Sequence, residues 1–136
     1  MTEPDAIRCF LRALANAQVA HFLPLLYKIR ERKTRSTPQL NVNILRSDRG
    51  KDAADLVLYV EVTREDSTVV TWSVRLDVLP DRVDVSGSVE LHDDNGSREL
   101  FRRSESAATA IQTAEAIARI APAVCEQVRH VEPSSW

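Results

Sequence analysis

The chain has 136 residues, 43% of them hydrophobic and 28% charged, with a net charge of −2. That length suits one domain with a core of its own, and the composition excludes a disordered, collagen-like or disulfide-dense chain. The near-neutral total hides an asymmetry: residues 1–51 carry a net charge of +6 and residues 52–136 a net charge of −8.

The opening residues, Met1-Thr2-Glu3-Pro4-Asp5, are acidic where a secretory leader is basic, so a cytoplasmic location is expected. A first helix is predicted from Pro4 or Asp5, with Ile7, Phe10, Leu11 and Leu14 as a narrow apolar stripe. From Val19 the pattern changes. Phe22, Leu23, Leu25, Leu26, Tyr27 and Ile29 surround the helix, which demands cover on more than one side. That demand leads us to expect a homodimer formed through residues 19–29. The run contains His21 and Pro24 and is too short to span a bilayer, so no membrane contact is expected. Pro24 has no N–H for the Ala20 carbonyl, which predicts a kink or break near Leu23.

A basic run follows: Lys28, Arg30, Arg32, Lys33 and Arg35. Together with Arg98, Arg102 and Arg103 it is a candidate phosphate-contacting surface, but no aromatic residues interleave for base stacking. Nucleic acid is therefore the weaker reading, and contact with a protein the stronger.

Five strands are then predicted. Leu40, Val42 and Ile44 alternate with Asn41 and Asn43, and Leu56 to Thr63 forms a second strand after a charged loop. Val70, Trp72, Val74, Leu76 and Val78 alternate with polar residues, as do Val83, Val85, Val89 and Leu91 beyond a Leu79-Pro80-Asp81-Arg82 turn. These two runs make the clearest hairpin in the chain. Asp94-Asn95-Gly96 is a strong turn signal, and a short fifth strand is expected over Arg98 to Arg103. A second helix starts beyond Ser104, whose hydroxyl suits an N-cap, and runs to about His130 with a bend at Pro122.

The sum is an α+β domain over residues 1–131: N-terminal helix, five-stranded antiparallel meander and C-terminal helix. Both helices should cover one sheet face. Residues 132–136, ending in Trp136, read as an exposed tail.

The three glycines are well separated, which excludes a P-loop and a dinucleotide-binding fingerprint. The three histidines form no ligand pair on a helix, so no metal site is expected. His92 to Gly96 lacks the glutamate spacing of a calcium loop and is a hairpin turn instead. Ser86-Gly87-Ser88 lies inside a strand and is no nucleophile elbow. Gly87 marks a bulge or a close approach by a helix. Cys9 and Cys125 are expected to stay reduced and partly buried. Asp77 and Asp84, near Arg75 and Arg82, are candidates to meet across the polar face and share a proton or a cation.

No catalytic residue and no cofactor emerges. The expected function is a non-enzymatic protein-binding module of adaptor, chaperone-like or immunity-like kind. Its candidate partner-binding residues are Lys28, Arg30, Arg32, Lys33, Arg35, Arg75, Asp77, Asp84 and Trp136. Two alternatives remain: a small-molecule binder or enzyme with a site between helices and sheet, and a nucleic-acid-associated protein using residues 28–35.

Overall fold

The computed structural model describes residues 3–32, 40–48, 54–64 and 67–131. Helix α1 spans Glu3–Ala17 and α2 spans Leu23–Arg32, joined by a π-helical turn over Gln18–Phe22. Five strands follow: β1 Leu40–Asp48, β2 Ala54–Thr63, β3 Val69–Val78, β4 Val83–Asp93 and β5 Gly96–Ala107. Helix α3, Ala110–Arg129, closes the order. The strands pair antiparallel in chain order, β1-β2-β3-β4-β5, so every connection is a hairpin.

The alternation read from sequence sorts β2, β3 and β4 correctly, while the side chains of β1, with the expected Leu40, Val42 and Ile44 row, lie outside the described residues. Leu56, Leu58, Val60 and Val62 of β2, Val70, Trp72, Val74 and Leu76 of β3, and Val83, Val85 and Val89 of β4 are buried on one face. Trp72 is the largest fully buried side chain, and its indole N–H meets no acceptor among the described residues. Such an orphaned donor costs about 1–3 kcal/mol, a penalty the burial of the large ring must outweigh. Leu79 N–H donates to the Arg82 carbonyl at 2.9 Å, closing the β3–β4 turn.

Helix α3 covers the inner face across β3, β4 and β5. Its seat is Gly87. A Cβ at that position would lie 2.5 Å from Cγ2 of both Ile120 and Val124. The close approach by a helix is thus what Gly87 serves, while the bulge falls two residues on, between Val89 and Glu90. Helix α1 takes α3 as its principal neighbour rather than lying on the strands as α3 does. Its Leu14 and Ala17 join the same core.

The first helix does not break at Leu23. Backbone angles stay helical there (φ −62°, ψ −46°), and Leu23 N–H reaches back to the Gln18 carbonyl. The chain meets Pro24 by widening one turn to the i→i+5 pattern, which keeps the helix continuous past the residue that cannot donate. The same segment corrects the reason for expecting a dimer. Phe22, Leu25, Leu26 and Ile29 are buried in the protein's own core, leaving Val19 and Tyr27 exposed at 67% and 61%. The apolar surplus is absorbed chiefly within one chain.

The end of the sheet also differs from expectation. Strand β5 runs twelve residues to Ala107, and Ser104 sits inside it opposite Ser86. The N-cap of α3 is Thr109, whose hydroxyl accepts from Gln112 N–H at 3.1 Å. Gln112 reaches back to Ala108 N–H at 3.0 Å, a reciprocal cap that fixes the helix start. Helix α3 passes Pro122 without interruption. The Ala118 carbonyl, which Pro122 cannot serve, belongs to a residue exposed to solvent. No described helix is long and apolar enough to cross a membrane.

Gly87→Ala is expected to destabilise the protein by about 1–3 kcal/mol, the usual cost of overpacking, because Ile120 and Val124 are β-branched and stiff in a helix. Val124→Ala in that background should restore part of the loss. Urea unfolding of the two single variants and the double variant measures this coupling, and strictly additive effects would contradict the contact.

Candidate functional site

With α3 on the inner face, no described helix covers the outer face of β3, β4 and β5. Its rows follow from register. Asp77 of β3 lies opposite Asp84 of β4, which lies opposite Ser106 of β5. In the next rows, Arg75, Ser86 and Ser104 line up, then Tyr59, Ser73, Ser88 and Arg102. Ser73 and Ser88 share a hydrogen bond between hydroxyls at 3.2 Å. Asp77, Asp84, Ser86, Arg102 and Ser104 contribute to a shallow depression of about 390 Å³. Small hydroxyl side chains keep this area flat, and the longer charged ones stand around it.

The two aspartates meet in register as anticipated, but each has its own arginine. Asp77 Oδ1 lies 3.4 Å from Arg75 Nε, and Asp84 Oδ1 lies 3.1 Å from Arg82 Nε. Ser106 Oγ donates to the same Asp84 oxygen at 2.7 Å. This hydroxyl, with Arg82 beside it, holds the Asp84 carboxyl below its ordinary value. Asp84 is thus held as a carboxylate by its own hydroxyl and guanidinium partners.

At the far end of the face runs a string that the sequence pattern did not announce. Ser97 Oγ lies 2.7 Å from His92 Nδ1, and His92 Nε2 lies 3.0 Å from Thr71 Oγ1 and 3.6 Å from Glu90 Oε2. Tyr59 stands nearby, its hydroxyl pushed above the ordinary phenol range by burial and by the charges of Glu61 and Glu90. Hydroxyl, imidazole and carboxylate are the parts of nucleophilic catalysis, but that chemistry needs a cleft with free donors for an oxyanion. Here the turn's Asn95 N–H is taken by Asp93 Oδ1 at 2.8 Å, and the string lies on open sheet. It joins neighbouring strands. The Asp94-Asn95 turn sets the His92–Ser97 register, so the signal lay in the turn itself.

The second arginine cluster does not form. Arg102 points outward to Glu99 (3.0 Å), whereas Arg103, one residue on, falls on the inner side beside Glu105 (3.7 Å). Glu105 also bonds Arg119 of α3 at 2.8 Å, which holds its carboxyl below the ordinary range and ties the edge strand to the helix. Of the first basic run, Lys28 is exposed. The side chains of Arg30 and Arg32, and the whole of Lys33, Arg35 and Trp136, lie outside the described residues.

Among the described residues no group of three His, Cys, Asp or Glu is placed to hold a metal ion. Both cysteines are free: Cys9 is exposed rather than partly buried, and Cys125 is buried in the core. Burial pushes the Cys125 thiol up to about 12. The chain matches no protein-family model, no curated protein and no solved structure.

Two outcomes follow. At pH 8 an alkylating reagent should modify Cys9 quickly and Cys125 only after unfolding, because the buried thiol stays protonated and shielded. Peptide mass mapping after a timed pulse checks this; equal labelling would refute it. Ser106→Ala should move the Asp84 pKa up toward its ordinary value in an NMR titration. Because the folded-state pKa is depressed, the stability contributed by Asp84 is present above the unfolded pKa and lost as pH falls through the folded one. The Ser106→Ala variant should show less of that acid-range loss.

Proposed function

We propose that this protein is a non-enzymatic protein-binding module that engages its partner through the outer face of β3, β4 and β5, which no described helix covers. The observation that carries the reading is the composition of that face. A flat tile of Ser73, Ser86, Ser88, Ser104 and Ser106 is ringed by Tyr59, Arg75, Arg82 and Arg102. Arginine and tyrosine are the side chains that anchor protein interfaces, and small hydroxyl residues adapt their hydrogen bonds to a partner's backbone. Each arginine sits beside a carboxylate, so the face offers paired charges of both signs rather than a field of one sign. That pattern gives specificity for a protein surface more readily than for a polyanion.

The competing readings have less to stand on. At Gly87 the helix and sheet touch, so the middle of α3 leaves no space for a small ligand, and the open space on that side lies at the helix end. Arg102 and Arg103 diverge to opposite sides of β5, so they offer no common phosphate-binding surface. A dimer through residues 19–29 would now rest on Val19 and Tyr27.

The test is affinity capture from the native cell with three baits: wild type, Arg75→Glu with Arg102→Glu, and Arg12→Glu on the exposed side of α1. Wild type and Arg12→Glu should retain the same protein. The double variant should lose it by about tenfold or more, the equivalent of about 1.4 kcal/mol. Retention of that protein by all three baits would overturn the proposal.

A further inference from the structure

A second hollow lies on the helix side of the sheet, away from the outer face, where α3 ends over β4 and β5. It measures about 400 Å³, at the small end of the range for ligand pockets. Arg64, Arg98 and His130 bring polar hydrogen-bonding groups to it, and Leu91, Leu100 and Val131 form apolar wall. Arg64 is nearly wholly buried, at 5% exposure, and Arg98 is exposed at the mouth. Among the described residues, no carboxylate lines the hollow.

Three separate elements converge to build it. Arg64 belongs to the β2–β3 turn, held by Arg64 N–H to the Thr68 carbonyl at 2.8 Å. Arg98 and Leu100 come from β5 on either side of Glu99. Their arrangement depends on the bulge: Val89 pairs with Phe101 and Glu90 with Glu99, leaving Leu100 as the additional residue. A bulge re-aims side chains out of simple alternation, and here Leu100 joins the hollow from a strand whose other residues are mostly polar. The end of α3 supplies His130 and the neighbouring Val131.

Cations near a helix C-terminus also serve the helix, whose end carries about half a negative charge. Arg129 already stands in the last turn of α3 for that purpose. His130 Nε2 is engaged by Glu126 at 3.1 Å, so the positive charge at the mouth is that of Arg98. The Arg98 guanidinium at the mouth exceeds the helix end's fractional charge by about two to one.

We infer that this hollow binds a small organic carboxylate bearing an apolar body. The planar guanidinium of Arg98 matches a carboxylate in fork geometry. The wall of Leu91, Leu100 and Val131 takes the hydrocarbon part. A bare inorganic anion would leave that wall unused, and a neutral hydrocarbon would make no use of the Arg98 fork.

The experiment is a titration of the whole chain at low salt, followed by backbone amide NMR and calorimetry, with three probes: 3-phenylpropionate, 3-phenylpropan-1-ol and acetate. The carboxylate with the ring should bind saturably, about tenfold or more tighter than either the alcohol or acetate. Its shifts should centre on residues 98–100 and 127–131. Arg98→Gln, at an exposed site that leaves the thermal midpoint in place, should weaken it about fivefold or more. Leu100→Ser should weaken it while acetate is unaffected. Absence of saturable binding at millimolar probe, equal binding of the alcohol, or shifts centred elsewhere would overturn the inference.

Discussion

The contact between Gly87 and the pair Ile120 and Val124 is the constraint on which the rest of the structure depends. Only a residue without a side chain lets α3 descend onto β4 this far. Once α3 is seated there, its buried row of Ile117, Ile120, Val124 and Val128 fills the space above Val85 and Val89. Its flank becomes the surface on which α1 rests, and its last turn is carried to the rim where Arg98 and Leu100 stand. The polar outer face follows from the same geometry, since the alternation of β3 and β4 sends every apolar side chain except Val69 to the side that α3 occupies.

Charge has a different role. The described ion pairs lie on the outer face, along β5 and at the end of α3, with side chains substantially exposed. Exposed pairs contribute little to stability, because solvent screens them and ordering long side chains costs entropy. Their value lies in position. Glu105 joins Arg103 and Arg119 into a clasp between edge strand and helix. Arg75, Arg82 and Arg102 stand beside Asp77, Asp84 and Glu99, which keeps the serine face from acting as a general anion trap.

How much of this could be read from sequence depends on the strength of local pattern. β3 and β4 were legible because Val70 to Val78 and Val83 to Leu91 repeat with a period of two that nothing else imitates. β5 was legible only as a short strand over Arg98 to Arg103, and its full length was not, because Arg98, Glu99, Arg102, Arg103, Ser104 and Glu105 are polar on both sides. An edge strand with one face in water and only α3 near its other face lacks the alternation that marks a strand. The start of α3 shows the same limit. Ser104 and Thr109 are both competent caps, and pairing of Ser104 with Ser86 removes the first. Thr109 carried the better signal in Gln112, three residues on. The close approach at Gly87 was legible, because a lone glycine within an alternating strand marks either a bulge or a neighbouring backbone or side chain pressed close. The hollow at the end of α3 was not, since Arg64, Arg98 and His130 are far apart in the chain and only the tertiary fold joins them.

The chain-order pairing of the strands has a consequence for how the molecule acquires its shape. Each hairpin closes only a short stretch of chain, so the sheet can zip from any turn, and its loop-closure entropy accrues in small steps. The meeting of α1 with α3 is of another kind, because it joins elements from opposite ends of the sequence. Contacts of such long separation are entropically the most demanding, which places the docking of α1 late in assembly, after the sheet and α3 have formed its seat. Before that step Val124 and Cys125 already have Gly87 and the strands beneath them, whereas Leu14, Phe22 and Leu25 have nothing to cover them. The N-terminal third is then the sticky part of the newborn chain, and the part whose capture by another apolar surface would compete with folding.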